Sequence, residues 1–178
     1  MHKFILISLI TLLCSCGSTI TYRGSHFFYY DEGINSTTIK GFKEQDSLTL
    51  LGKWVENENK APWSDFYFKN NENLVAINFK KKINHPEFKS APDIDFLANE
   101  VAHFNYLCDY FNLKCSLIET DDNSYQILNY LHEKTKEEIV HLVGMKNSTI
   151  IFISIINPKK NTKEKIKYIK ELFNFIKT

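Results

Sequence analysis

The chain has 178 residues, 22 Lys and Arg against 21 Asp and Glu, and a formal net charge of +1. That balance makes no electrostatic case for a nucleic-acid partner, and with Arg23 as its sole arginine the chain lacks the bidentate forks that read bases and phosphates. At 43% hydrophobic residues it can bury one real core, and it is short for two.

Lys3 opens a short positive beginning, and Phe4 to Leu13 (FILISLITLL) is an uninterrupted apolar run ending in small residues. That is the layout of an export signal. A spanning helix needs about 20 apolar residues, and this run stops well short at Cys14-Ser15-Cys16-Gly17-Ser18. Leu13-Cys14-Ser15-Cys16 resembles the lipobox of bacterial lipoproteins, with an aliphatic residue three before, and a small residue one before, the acceptor cysteine. Taking Cys14 as acceptor would put Leu13 where the pattern wants a small residue. The resemblance implies that residues 1–15 are a signal peptide and that Cys16 carries a thioether-linked diacylglycerol. Each buried methylene is worth about 0.8 kcal/mol, so two or three chains hold a protein to a bilayer where one is marginal. The expected place is the bacterial cell envelope, and Gly17 in place of an aspartate points to the outer membrane.

Residues 16–45 are rich in Ser, Thr, Gly and Tyr and read as an acylated tether with one short strand around His26-Phe27-Phe28-Tyr29-Tyr30. Residues 46–178 read as a single α+β domain. Leu48, Leu50 and Val55 flank Gly52-Lys53-Trp54, and Asp65 to Lys69 and Leu74 to Phe79 form a hairpin across Asn70-Asn71-Glu72-Asn73. Ser90-Ala91-Pro92-Asp93 has the form of a helix start, with an oxygen-bearing cap and an acid in the first turn. Behind it Ile94, Leu97, Val101, Phe104, Cys108 and Phe111 make one apolar stripe, with Glu100 and His103 on the polar side. Strands follow at Cys115 to Glu119, Tyr125 to Glu133, Ile139 to Lys146 and Thr149 to Ile156. Asn161 with Glu164 caps a last helix whose Ile166, Ile169, Leu172, Phe173 and Ile176 face the sheet. The lysine runs 80–82 and 159–160 read as solvated strand ends and turns.

The fold class expected is therefore α+β, an antiparallel sheet with two main helices. Gly52-Lys53-Trp54 leading into a Phe66-Tyr67-Phe68-Lys69-Asn70 hairpin, in that order of elements, resembles the PsbP-like fold. The resemblance spans about Ser47 to Thr178 and implies a binding or assembly module with little chemistry of its own. Gly-Lys-Trp is also similar to the first strand of lipocalins, but two helices interrupt what should be a continuous barrel.

Chemistry is sparse. There is no Gly-x-Ser-x-Gly elbow, no His-Glu-x-x-His helix and no glycine-rich phosphate loop. If Thr135 to Glu138 is a four-residue turn, His132 stands opposite His141, which is half of a metal site and lacks its other ligands. Cys108 and Cys115 are an even pair once Cys16 carries lipid, open to a disulfide or to two buried thiols. Trp54 and Trp63 flank a polar loop and offer a ligand or partner surface, or else anchor the core. No cofactor is called for. The expectation is a non-catalytic binding or assembly component with an envelope protein partner. Its rivals are a carrier of a lipid or small apolar ligand, whose mark is an apolar pocket the core leaves empty, and a metal protein or enzyme using His132 and His141. A protein that neutralises an envelope toxin is a further form of partner binding.

Overall fold

Threonine, serine and aromatic residues are frequent between Ser18 and Thr49, a composition that suits pleated strands as well as it suits a tether. The computed structural model describes residues 18–23, 26–41, 47–57, 66–70, 73–111, 113–121, 124–131 and 136–176. Those residues fall into two compact units, one ending at Trp54 and the other beginning at Val55. The leader, Cys14, Cys16, Trp63 and His132 lie outside the described residues.

The first unit corrects the expected tether. Strands β1 (Ser18–Arg23), β2 (His26–Asp31), β3 (Ser36–Gly41) and β4 (Ser47–Leu51) form a four-stranded antiparallel meander in sequence order. Phe28, Ile39 and Leu48 lie in register across β2, β3 and β4, and all three are buried. Alternation leaves Phe27 and Tyr29 on the opposite, exposed side. The β2–β3 turn is closed by Asp31, whose Oδ1 accepts from the backbone of Gly33 at 2.8 Å and Ile34 at 3.3 Å. At the end of β4, Gly52 takes φ 93°, a conformation that favours glycine. The Thr37 hydroxyl then fixes the next residues, donating to the Gly52 carbonyl at 2.7 Å and accepting from the Trp54 backbone N–H at 3.0 Å. Gly52-Lys53-Trp54 is thus a structural clasp.

In the second unit, β5 (Val55–Glu56), β6 (Phe66–Asn70), β7 (Asn73–Lys81), β8 (Lys114–Asp121), β9 (Tyr125–Leu131), β10 (Glu138–Lys146) and β11 (Thr149–Ile156) form one antiparallel sheet, ordered β5-β6-β7-β11-β10-β9-β8. Helices α1 (Asp93–Tyr110) and α2 (Thr162–Phe175) complete it. The α+β class and both helices stand as expected. Asn147 and Ser148, both at positive φ, make the two-residue turn that sets Lys146 opposite Thr149. The Asn161–Glu164 capping box at α2 is fully formed. Among the described residues no helix is long and apolar enough to cross a membrane.

The two faces of this sheet are filled differently. Ile151, Ile153 and Ile155 of β11 and Val140 and Leu142 of β10 are buried on one face, where α2 supplies Ile169, Leu172 and Phe173. The packing is close enough that a Cβ built on Gly144 would meet Phe173 Cε2 at 2.5 Å. On the other face Phe96, Leu97 and Val101 of α1 pack with Leu128, Val143 and Ile150, and Phe104, Met145 and Phe152 border that cluster. The α1 stripe is rotated from its expected position: Phe96 and Glu100 are buried, whereas Ile94 and Phe111 are exposed. Ser90 does not cap α1; Pro92 precedes its first turn without a side-chain cap. Asp93 instead accepts from Lys82 at 2.8 Å and from Ser148, and the Lys82 hydrogen bond, opposed by partial desolvation, holds its carboxyl below the usual range. Lys82 also donates to the Ala91 carbonyl, so this lysine is a structural brace rather than a solvated end.

Candidate functional site

Between the C-terminal half of α1 and the sheet the packing stops, leaving a cavity of about 500 Å³. That is within the range of small-molecule sites. Phe104 and Leu107 of α1, with Phe111 just past its last turn, form one wall. Asn78, Tyr130, His141, Phe152 and Ser154 form the floor, brought to one face by the register that pairs Asn78 with Phe152, His141 with Ser154 and Ile139 with Tyr130. Lys80, Glu100, His103 and Leu113 complete the lining.

A polar island lies in this mainly apolar floor. Ser154 Oγ and His141 Nδ1 are 2.6 Å apart, Tyr130 stacks on the imidazole with centroids 4.9 Å apart, and Phe104 meets it at 5.0 Å with an interplanar angle of 61°. His141 is only 8% exposed, and its Nε2 is buried without a hydrogen-bond partner. Burial disfavours the charged ring and pulls its pKa from 6.5 to about 3, so the imidazole is neutral at physiological pH. Glu100, placed on the polar side by the sequence pattern, is instead 4% exposed, and Lys80 Nζ meets its carboxylate at 2.6 Å. Lys80 also lies over the Phe152 ring, 5.5 Å from the centroid. Removing Lys80 would leave the buried Glu100 carboxylate without its partner at the cavity wall.

The corner beyond the cavity is covalently fixed. Cys108, which lines the cavity, is joined to Cys115 with S–S 2.10 Å and Cα–Cα 6.1 Å, tying the end of α1 to the start of β8. Outside it Tyr106, Tyr110 and Phe111 are exposed in sequence along the helix end, their rings 6.1 and 5.0 Å apart.

The candidate residues fare unevenly. His141 faces Leu128 on β9, because β9 ends at Leu131 and β10 begins at Glu138, so the connection is longer than the four-residue turn assumed. Asn129, donating to Glu138 at 2.9 Å, belongs to the register that is observed. The expected His132–His141 pairing is therefore corrected on the His141 side; His132 itself lies outside the described residues. Among the described residues no three His, Cys, Asp or Glu are grouped to hold a metal ion. Trp54 offers no surface: it is 2% exposed, and its indole N–H donates to the Leu51 carbonyl at 2.8 Å. Ser154, Tyr130 and Glu100 carried no functional signal in the sequence, each being a common residue in an ordinary strand or helix.

Among the described residues the His–Ser pair lacks the other parts of a hydrolase site. The serine is bonded through Nδ1, and no acid orients the ring through Nε2, which has no partner. An imidazole with a pKa near 3 is also a poor base at neutral pH.

No family model matches the sequence, and no curated protein matches it. The chain is similar to the solution structure of cyanobacterial PsbP (CyanoP) from Synechocystis sp. PCC 6803, at 13% identity and a TM-score of 0.36, over 92% of this chain and 94% of that one. The α+β class of this chain rests on its own strands and helices.

Proposed function

We propose that this protein is an exported lipoprotein of the bacterial envelope, held to a membrane through acylated Cys16, whose larger unit is a non-catalytic module that binds a small, mainly apolar molecule beneath α1. The observation that carries the binding reading is the cavity of about 500 Å³ in a sheet whose opposite face is closely filled. A ligand in a cleft of that size, lined by Phe104, Leu107, Phe111 and Phe152, would bury apolar surface that otherwise meets water. The unfinished His–Ser geometry supports the non-catalytic part. The lipid anchor rests on the lipobox residues Leu13 to Cys16, and its placement in the outer membrane on Gly17.

The test is native mass spectrometry of the full chain extracted from its own membranes in mild detergent. Acyl mass together with a small molecule that Leu107→Trp loses supports the reading. Acyl mass with a co-purifying protein and an empty cavity would replace it with an assembly role. Cys16→Ala should release the protein from membranes, and an unchanged membrane fraction would overturn the anchor.

A further inference from the structure

Resting on the acylated Cys16 of the reading above, we infer that the end of the four-stranded sheet bearing the β2–β3 turn sits in the headgroup layer of the anchoring membrane, with the Ile34 side chain inserted toward the acyl chains.

The chain itself sets the distance. Cys16 precedes Ser18, the first residue of β1, by two positions, and two extended residues span at most about 7 Å. The headgroup layer of one leaflet is itself about 5–8 Å deep, half the difference between a hydrocarbon core of about 30 Å and a whole bilayer of about 40–45 Å. An acylated Cys16 therefore leaves the start of β1 no slack to stand clear of the lipid. Strand register decides what arrives there with it. Ser18 pairs with Asp31, Asp31 with Ser36 and Ser36 with Leu51, so these four residues make one end of the sheet. The turn from Glu32 to Asn35 continues past that line, on the side where β1 begins.

This end presents apolar side chains. Turn tips favour Gly, Asn, Asp and Ser, yet Ile34 stands here 68% exposed, and Leu51 is 50% exposed at the adjoining end of β4. The other large apolar side chains exposed on this unit, Phe27 and Tyr29, are less so, which puts its two most exposed at the lipid end among the described residues. The turn is held rigid: Asp31 Oδ1 accepts from the Gly33 and Ile34 N–H groups, and Tyr30 donates to Asn35 Oδ1 at 2.9 Å. From β4 the Gly52 N–H donates to the Asn35 carbonyl at 2.7 Å. A side chain presented on so fixed a turn gives up little further freedom on insertion, and every methylene that leaves water for lipid is favourable. The charges nearby are two acids, Asp31 and Glu32, and one base, Lys53, whose Nζ lies 5.4 Å from the Tyr30 ring centroid. No excess of positive charge seeks anionic phosphates, so the contact is apolar and forms on a zwitterionic bilayer.

Site-directed fluorescence tests this on the acylated protein purified from its own membranes. Each variant carries one added cysteine labelled with the environment-sensitive dye NBD and is reconstituted into phosphatidylcholine vesicles, with or without nitroxide-labelled lipid. Ile34→Cys and Leu51→Cys should give blue-shifted emission that nitroxide lipid quenches; both positions are exposed, so neither change opens the core. Lys40→Cys is exposed four residues along β3 from Ser36, about 13 Å from that end, and should emit as in water. In acylated protein that sediments with the vesicles, a dye at position 34 that stays in water would overturn the inference and leave the anchor standing. Equal quenching at position 40 would overturn it in favour of a sheet lying flat on the lipid. A blue shift at position 34 that nitroxide lipid does not quench would overturn it by assigning the turn to a second copy of the chain. Protein that lacks acyl mass and does not sediment with vesicles would remove the anchor, and this inference with it.

Discussion

Lowering the pH from about 7.5 to about 5 should weaken this protein through His141. Its imidazole is buried, and its pKa drops from 6.5 to about 3 because burial penalises the charged form. Between those values the unfolded chain binds a proton that the folded chain refuses, so stability is whole above about pH 6.5 and drains away as the pH falls toward 3. At about pH 5 the folded ring is still neutral, and 1.36 kcal/mol per pH unit gives a loss of about 2 kcal/mol from this one group. Urea unfolding of wild type and of His141→Phe/Ser154→Ala at the two pH values isolates that contribution. The neighbouring charged pair Lys80 and Glu100 remains in both proteins, as does Asp93 with its lowered pKa. Replacing both members of the pair avoids stranding the serine hydroxyl, so the variant should fold. The wild type should lose about 2 kcal/mol more than the variant over this interval. Equal losses would refute the claim that a neutral buried imidazole is built into the core.

Gly144→Ala drives a methyl group into the Phe173 ring at 2.5 Å and should cost about 1–3 kcal/mol in urea unfolding, with partial rescue by Phe173→Leu; an unchanged midpoint would show that the α2 face is looser than described. Reducing the Cys108–Cys115 bridge, or replacing both with serine, should cost about 2–3 kcal/mol by freeing the unfolded chain. Thiol labelling of both cysteines in native, unreduced protein would contradict the bridge.

What could be read from the sequence was local. The Asn161–Glu164 box announces α2, and the hydrophobic runs of β10 and β11, separated by Asn147-Ser148, announce their hairpin because the turn and the alternation lie within a few residues. Of the four-stranded sheet only the strand around His26 to Tyr30 and the β pattern from Ser47 are legible, because the sheet depends on pairings across turns that no single stretch states. The buried face of α1 was misplaced by a fraction of a turn, since Phe96 and Ile94 are equally apolar and only the sheet beneath decides between them. His141 was noticed as a histidine but given the wrong neighbour, because a turn length assumed from four residues sets the whole register. The cavity is a property of what fails to meet across β7, β9, β10, β11 and α1, and no stretch of sequence states that.

The central position of β11 has a consequence for the unfolded chain. Thr149–Ile156 (TIIFISII) carries no charge, no proline and no glycine, the composition of a segment that pairs readily with copies of itself. In the native sheet it is fourth of seven strands, with both edges occupied by β7 and β10. Lys146 stands ahead of it, and Pro158-Lys159-Lys160 follows, so charge and a ring that cannot donate to a ladder bracket the run on both sides. In the unfolded chain these flanking charges and the proline oppose self-association in the interval before the middle strand is enclosed.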